Sequence, residues 1–259
     1  MLITLSPAKS LDFTSPLPTK KSSVPESLDR SRELIELLAK KTPRDLQTMM
    51  GLSEKLAQLN WDRFQEWSED VGSDNGRPAM LAFTGDVYQG MEVGQFTERD
   101  FTHAQKHIRI LSGLHGVLKP LDLIQPYRLE MGSSLRNSAG RDLYAFWRPE
   151  VTARLNADLA HTSPKLLVNL ASNEYFSAVS ANDIDAPIVT PVFKDLKNGE
   201  YKVISFYAKK ARGAMAAWLV RNRIKTVKGL QDFDGMGYEF SPELSTKSAP
   251  VFLRDPTAG

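Results

Sequence analysis

RILSGLHGVLKPLDLIQPYRLEMG, residues 109–132, is the stretch on which the reading of the fold turns. Three glycines and two prolines stand among long aliphatic residues and three basic ones. A surface loop needs few apolar residues, and the interior of a helix or strand tolerates little glycine or proline. A segment that holds both has to bend sharply while staying buried. Residues 108–111 read as a strand running into it. The glycines at 113 and 116, followed by Lys119-Pro120, suit a helix–tight turn–helix.

Working outward, residues 2–5 (LITL) read as a short buried strand closed by Ser6-Pro7. Residues 26–41 carry Leu28, Leu34, Ile35, Leu37 and Leu38 at helical period. Pro43 opens a second helix with Thr42 as its N-cap, and Ser53 begins a third that runs to about residue 67. Residues 79–84 are expected as a strand, followed by a short helical piece from Gly85-Asp86 to residue 91. Helices are expected over 98–107, 141–160 and 208–223, and from about Ser172. Residues 165–170 (KLLVNL) and 251–253 read as strands. Asn198-Gly199 between the β-rich runs 187–193 and 201–207 is a hairpin signal. Helices alternating with buried strands predict a mixed α/β fold. The expectation is one compact domain over residues 1–259, with a central mixed sheet surrounded by helices and a helix-hairpin-helix-like element.

Composition narrows function more by exclusion than by pointing. The chain has 259 residues, 41% hydrophobic and 25% charged, an ordinary globular balance. Its formal net charge is +2 and its pI about 8.6, so clustering of charge matters more than its sum. There is no cysteine, which removes disulfides, thiolate metal sites and thiol nucleophiles. The N-terminus has no basic region before an apolar run of signal length, and no run approaches the ~18 residues of a membrane span. A cytoplasmic protein without membrane contact is expected.

Four groups of residues carry possible chemistry. Gly113, Gly116 and Lys119 would make a phosphate cradle if their amides point outward at a helix start. DNA-binding helix-hairpin-helix elements space their glycines two apart, whereas here they are three apart, and on spacing alone a buried structural turn is the favoured reading. In FYAKKARGAMAAWLV, residues 206–220, Lys209 and Arg212 share a helix face, and Lys210 aligns with Arg221. Basic side chains in a first helical turn oppose the macrodipole, at a cost of ~0.3–1 kcal/mol each, which a bound anion would offset. Ser6-Pro7-Ala8-Lys9 follows a buried strand, so Lys9 is placed where α/β sheets hold ligands, although a plain turn is the simpler reading. Asp86, Glu130 and Glu174 lie beside glycines or strand ends as candidate acid/base groups or salt-bridge partners, with helix capping the alternative for Asp86. His103 and His107, at i and i+4, have metal-ligand spacing but lack a third firm ligand. No metal or cofactor is expected, and no Walker A, dinucleotide, nucleophile-elbow or zincin motif is present.

Six blocks together resemble the YaaA family of bacterial peroxide-stress proteins: LSPAKS at 5–10, FTGDVYQG at 83–90, LSGLHGVLKPLDLIQPYRLEMG at 111–132, DLYAFW at 142–147, NLASNEYF at 169–176 and ISFYAKKARG at 204–213. Ser10 stands where the family form has Thr, which keeps the hydroxyl. The resemblance implies a cytoplasmic protein of the hydrogen peroxide response, connected with limiting intracellular iron. It also implies DNA binding through a helix-hairpin-helix-like element in a basic cleft. Carried onto this sequence, contact with double-stranded or distorted DNA would fall at Gly113, Gly116 and Lys119, with Lys9, Arg128, Lys209, Lys210 and Arg212 lining the cleft. A monomer is favoured. The alternative is an enzyme acting on a small anionic or nucleotide-like substrate, with Asp86, Glu130 or Glu174 as acid or base.

Overall fold

A computed structural model describes residues 1–255. In chain order it runs through β1 (Leu2–Leu5), α1 (Leu28–Ala39), α2 (Pro43–Met50), α3 (Glu54–Glu66), β2 (Arg77–Pro78), α4 (Ala79–Ala82), α5 (Asp86–Met91), α6 (Glu98–His107), β3 (Ile108–Ser112), β4 (Gly116–Leu118) and β5 (Leu123–Ile124). It continues with α7 (Leu143–Ala160), β6 (Leu167–Asn169), α8 (Asn173–Phe176), β7 (Ile188–Val189), β8 (Val192–Lys197), β9 (Glu200–Lys202), α9 (Ser205–Arg221), α10 (Val227–Leu230), β10 (Glu239–Ser241) and β11 (Val251–Arg254).

The expected mixed α/β architecture is present. A five-stranded sheet has the order β4-β3-β1-β6-β7, with β3, β1, β6 and β7 parallel and β4 antiparallel at its edge. The wholly buried runs LITL and LVN suit parallel strands covered on both faces, and their polar members pair, the Thr4 hydroxyl donating to Asn169 Oδ1 at 3.1 Å. A second sheet has the order β10-β11-β8-β9, and β2 pairs with β5. Side chains of both larger sheets meet in one buried cluster, from Leu2 and Ile3 to Phe193 and Phe252. Local chemistry sets the helix starts as expected. Thr42 and Asp45 form a capping box at Pro43, and Ser53 caps α3. Asn198 (φ 56°) and Gly199 (φ 79°) make the turn between β8 and β9.

Two expectations are corrected. Residues 79–82 are a short helix rather than a strand. More consequentially, residues 108–132 contain no helix, so no helix-hairpin-helix forms there. The stretch is instead the antiparallel pair β3–β4, which turns through Gly113-Leu114-His115. The Leu114 and His115 amides donate inward to the Ser112 hydroxyl at 3.2 and 3.0 Å, so they are not offered to a phosphate. The glycines serve close packing. A Cβ on Gly113 would lie 2.3 Å from the Leu129 carbonyl oxygen. A Cβ on Gly116, at φ +65°, would lie 2.6 Å from the Trp147 ring. The Trp147 indole in turn donates to the Gly113 carbonyl at 2.8 Å.

The same turn buries a titratable group. Ser31 donates its hydroxyl proton to the Ser27 carbonyl, so it accepts from His115 Nδ1 at 2.8 Å. His115 Nε2 is then a bare buried acceptor without a partner. Burial lowers the His115 pKa from an ordinary 6.5 to about 3. The unfolded chain therefore takes up a proton before the folded one. Stability that is complete above pH 6.5 should fall away as pH drops from there toward 3, by several kcal/mol at most, at about 1.4 kcal/mol per pKa unit. Thermal melts between pH 7 and 4 should show this acid limb, and His115→Gln should flatten it. An unchanged limb in that variant would mean that other groups carry the acid sensitivity.

Candidate functional site

The parallel strands β1 and β6 end side by side, and the chain leaving each of them builds one end of a cavity of about 420 Å³. After β1, Ser6 accepts the Ser172 amide at 2.8 Å and donates to the Ser172 hydroxyl at 3.3 Å. Ser172 is also the N-cap of α8, which carries Glu174 and Tyr175. The Tyr88 hydroxyl, from α5, donates to the Ser6 carbonyl at 3.0 Å. The turn bearing Lys9 is clipped to the start of α5 by the Thr84 amide on the Ser10 carbonyl at 3.1 Å, with Gly85 against Ala8. Three separate segments are thus locked around the carboxyl ends of the sheet, where open α/β folds hold ligands.

The opposite wall comes from α5, α9 and the extended stretch 127–130. Asp86, Val87 and Gln89 face the cavity from α5, and Lys209 and Arg212 from the first turns of α9. Tyr127, Arg128, Leu129 and Glu130 line it from the far half of the 109–132 stretch. Four cationic and three acidic side chains therefore border one space.

These charges are not equivalent. Glu130 lies between two cations: one oxygen is 3.0 Å from Lys9 Nζ, and the other accepts from Arg128 at 3.1 and 3.2 Å. Glu174 accepts the Gly132 amide at 3.0 Å. Arg212 and Lys209 differ from the rest. Among the described residues neither has a hydrogen bond or ion pair. Arg212 is half-buried, and burial alone pulls its pKa below the usual guanidinium value. A guanidinium held partly out of water with no carboxylate in ion-pair contact among the described residues is costly. Burial pushes the Tyr175 phenol well up and raises that of Tyr127 as well, so both remain protonated, and the Tyr127 hydroxyl is already hydrogen-bonded to the Ser112 hydroxyl at 2.6 Å.

The structure therefore brings together Lys9, Arg128, Lys209, Arg212, Asp86, Glu130 and Glu174. It leaves out Gly113 and Gly116, buried in the β3–β4 turn. It also leaves out Lys119, whose ammonium pairs with Glu26, and Lys210, which turns into a different groove. Lys209 and Lys210 part company because consecutive helical side chains diverge by about 100°. The wall residues Tyr127 and Tyr175 sit inside the quoted motifs, at PYRLEMG and NEYF, but only the fold shows that they face the cavity. Among the described residues no three His, Asp or Glu side chains are grouped so as to hold a metal ion, and no helix is long and apolar enough to cross a membrane.

Fold and site together define an α/β protein with a mixed-charge cavity at the carboxyl ends of its parallel strands. The family profile described as peroxide stress protein YaaA matches residues 1–244. The chain belongs to that family.

Proposed function

We propose that this peroxide stress family member acts in the cytoplasm by seating the phosphate of a nucleotide-sized anion in the cleft. The half-buried, unpaired Arg212 beside the equally unpaired Lys209 carries this reading. The cavity volume of about 420 Å³ suits a small ligand, and Tyr127, Leu129 and Tyr175 offer apolar and aromatic wall for its ring. Asp86, and Glu174 through the oxygen that the Gly132 amide does not engage, are the acids left to act as acid or base on such a ligand, because both oxygens of Glu130 are already engaged by cations. Iron limitation, which the family resemblance implies, enters this reading only downstream of ligand binding.

A second reading, DNA binding through the phosphate backbone, is favoured by one observation. Lys9 is 63% exposed, and Lys209 is also exposed, so cationic groups on the cleft wall remain open to solvent. A polyanion passing over the cleft would engage these two and reach Arg212 behind them. Such contact would be backbone-dominated and weakly sequence-specific.

Calorimetric titration with nucleoside monophosphates, inorganic phosphate and a short duplex, intact or carrying an unpaired nucleotide, separates these readings. Saturable binding of a mononucleotide with shallow salt dependence is expected. Binding of duplex alone, with log K falling by about 0.9 per phosphate contacted for each log unit of salt, would favour the DNA reading. Absence of both would end the assignment of the cleft to phosphate.

A further inference from the structure

The second basic pair on α9, Lys210 and Arg221, belongs to another place. Both line a groove of about 550 Å³ that runs along α9, bounded by the end of α5 on one side and the segment around Phe233 and Met236 on the other. Its floor on α9 is Ala214, Ala217 and Trp218. With Lys210 and Arg221 these occupy positions i, i+4, i+7, i+8 and i+11, one continuous helix face. The floor is therefore apolar and both ends are cationic. Among the described residues neither cation has a carboxylate partner. Lys210 Nζ rests 4.6 Å over the Phe206 ring, and Arg221 lies 5.2 Å over Phe96 and donates weakly to the Glu92 carbonyl at 3.4 Å. The one carboxylate lining the groove, that of Glu92, accepts from Gln95 at 2.9 Å.

The rims are held in a costly backbone conformation. Glu92 (φ 50°) and Met236 (φ 61°) are two of the four non-glycine residues in the left-handed region among the described residues, and both line this groove. Such strain gathers where a surface is shaped for a purpose. Met236 is also 37% exposed, and an exposed flexible thioether is suited to binding apolar side chains of varied shape.

We infer that this groove docks an acidic peptide segment of a partner protein: two carboxylates flanking a short apolar centre. Lys210 and Arg221 are about 16 Å apart along the axis at ~1.5 Å per residue. An extended peptide at ~3.3 Å per residue covers that distance in about five residues. Side chains of an extended peptide alternate faces, so carboxylates four residues apart, ~13 Å along the chain, lie on one side and come within reach of the two long cations, while the apolar side chain midway between them lies on Ala214, Ala217, Trp218 and Met236. The groove is separate from the phosphate cleft, and its assignment does not rest on that reading.

The test is fluorescence anisotropy of labelled Glu-Ala-Phe-Ala-Glu on the full chain, against the same peptide with both glutamates replaced by lysine. Saturable binding of the acidic peptide, at least tenfold tighter than the basic one, is expected. In Lys210→Glu with Arg221→Glu the preference should reverse. Only two cation–ring contacts and one weak hydrogen bond are lost, so the melting temperature should fall by a few degrees at most and the cleft's nucleotide binding should stay as in the wild type. No saturable binding, equal binding of the two peptides, or displacement of the acidic peptide by an oligothymidylate would overturn the assignment. The wild-type comparison of the two peptides decides even if the double variant fails to fold.

Discussion

Gly213→Ala is expected to cost the protein more stability than most single methyl groups can. Helices α5 and α9 cross with glycine on both sides of the contact. A Cβ on Gly213 would sit 1.7 Å from the Val87 carbonyl oxygen and 2.9 Å from the Met91 nitrogen. On the other side, a Cβ on Gly90 would sit 2.1 Å from the Lys210 carbonyl oxygen. These neighbours are backbone atoms, so no rotamer change relieves the clash and the helices must separate. The cost should reach the upper end of the ~1–3 kcal/mol usual for overpacking, or exceed it. At roughly 2–4 °C per kcal/mol for a chain of this size, the melting temperature should fall by about 6–12 °C. Gly94→Ala is the control, because that site has open space and its melt should match the wild type. The crossing also sets where Lys209 and Arg212 stand relative to Asp86 and Gln89, so the folded fraction of Gly213→Ala should bind its anion more weakly. A variant that melts with the wild type would show that the two helices are not held at this distance.

The same crossing shows what could be read from sequence. The caps at Thr42 and Ser53, the apolar strands β1 and β6 and the Asn198-Gly199 turn are local events, written in a few adjacent residues. Residues 79–82 misled because a short apolar run has no period long enough to separate helix from strand. The GLHG turn misled for a different reason. Glycine at a left-handed position serves a helix end and a tight β-turn equally well. What decides is Trp147, brought against Gly116 only by the tertiary fold. The site was legible in parts: each charged residue stood in a recognisable motif, but which of them converge was not. Lys119 and Lys210 have the composition of site residues and differ only in direction. The pairing that matters, Glu130 with Lys9 and Arg128 but nothing with Arg212, is a fact of three dimensions.

Arg212→Met should separate binding from folding. The substitution keeps most of the side-chain length and apolar stem but removes the guanidinium. If Arg212 exists to hold an anion, ligand affinity in the cleft should fall roughly 10- to 100-fold, the equivalent of a lost charge-assisted hydrogen bond of ~1.5–3 kcal/mol. Stability should move the other way or not at all. The wild-type charge is half-buried without a counter-ion, and removing an uncompensated charge relieves its desolvation. Arg212→Lys should recover only part of the affinity, because a single ammonium cannot reproduce the planar fork. Lys209→Met should cost less, since that exposed ammonium is better hydrated before the ligand arrives. Thermal melts and nucleotide titrations on the same samples read both quantities. A loss of stability with unchanged affinity would make Arg212 a structural residue and remove the main support for an anion in the cleft. Weaker binding with unchanged or higher stability is the signature of a residue kept for its ligand at the expense of the fold.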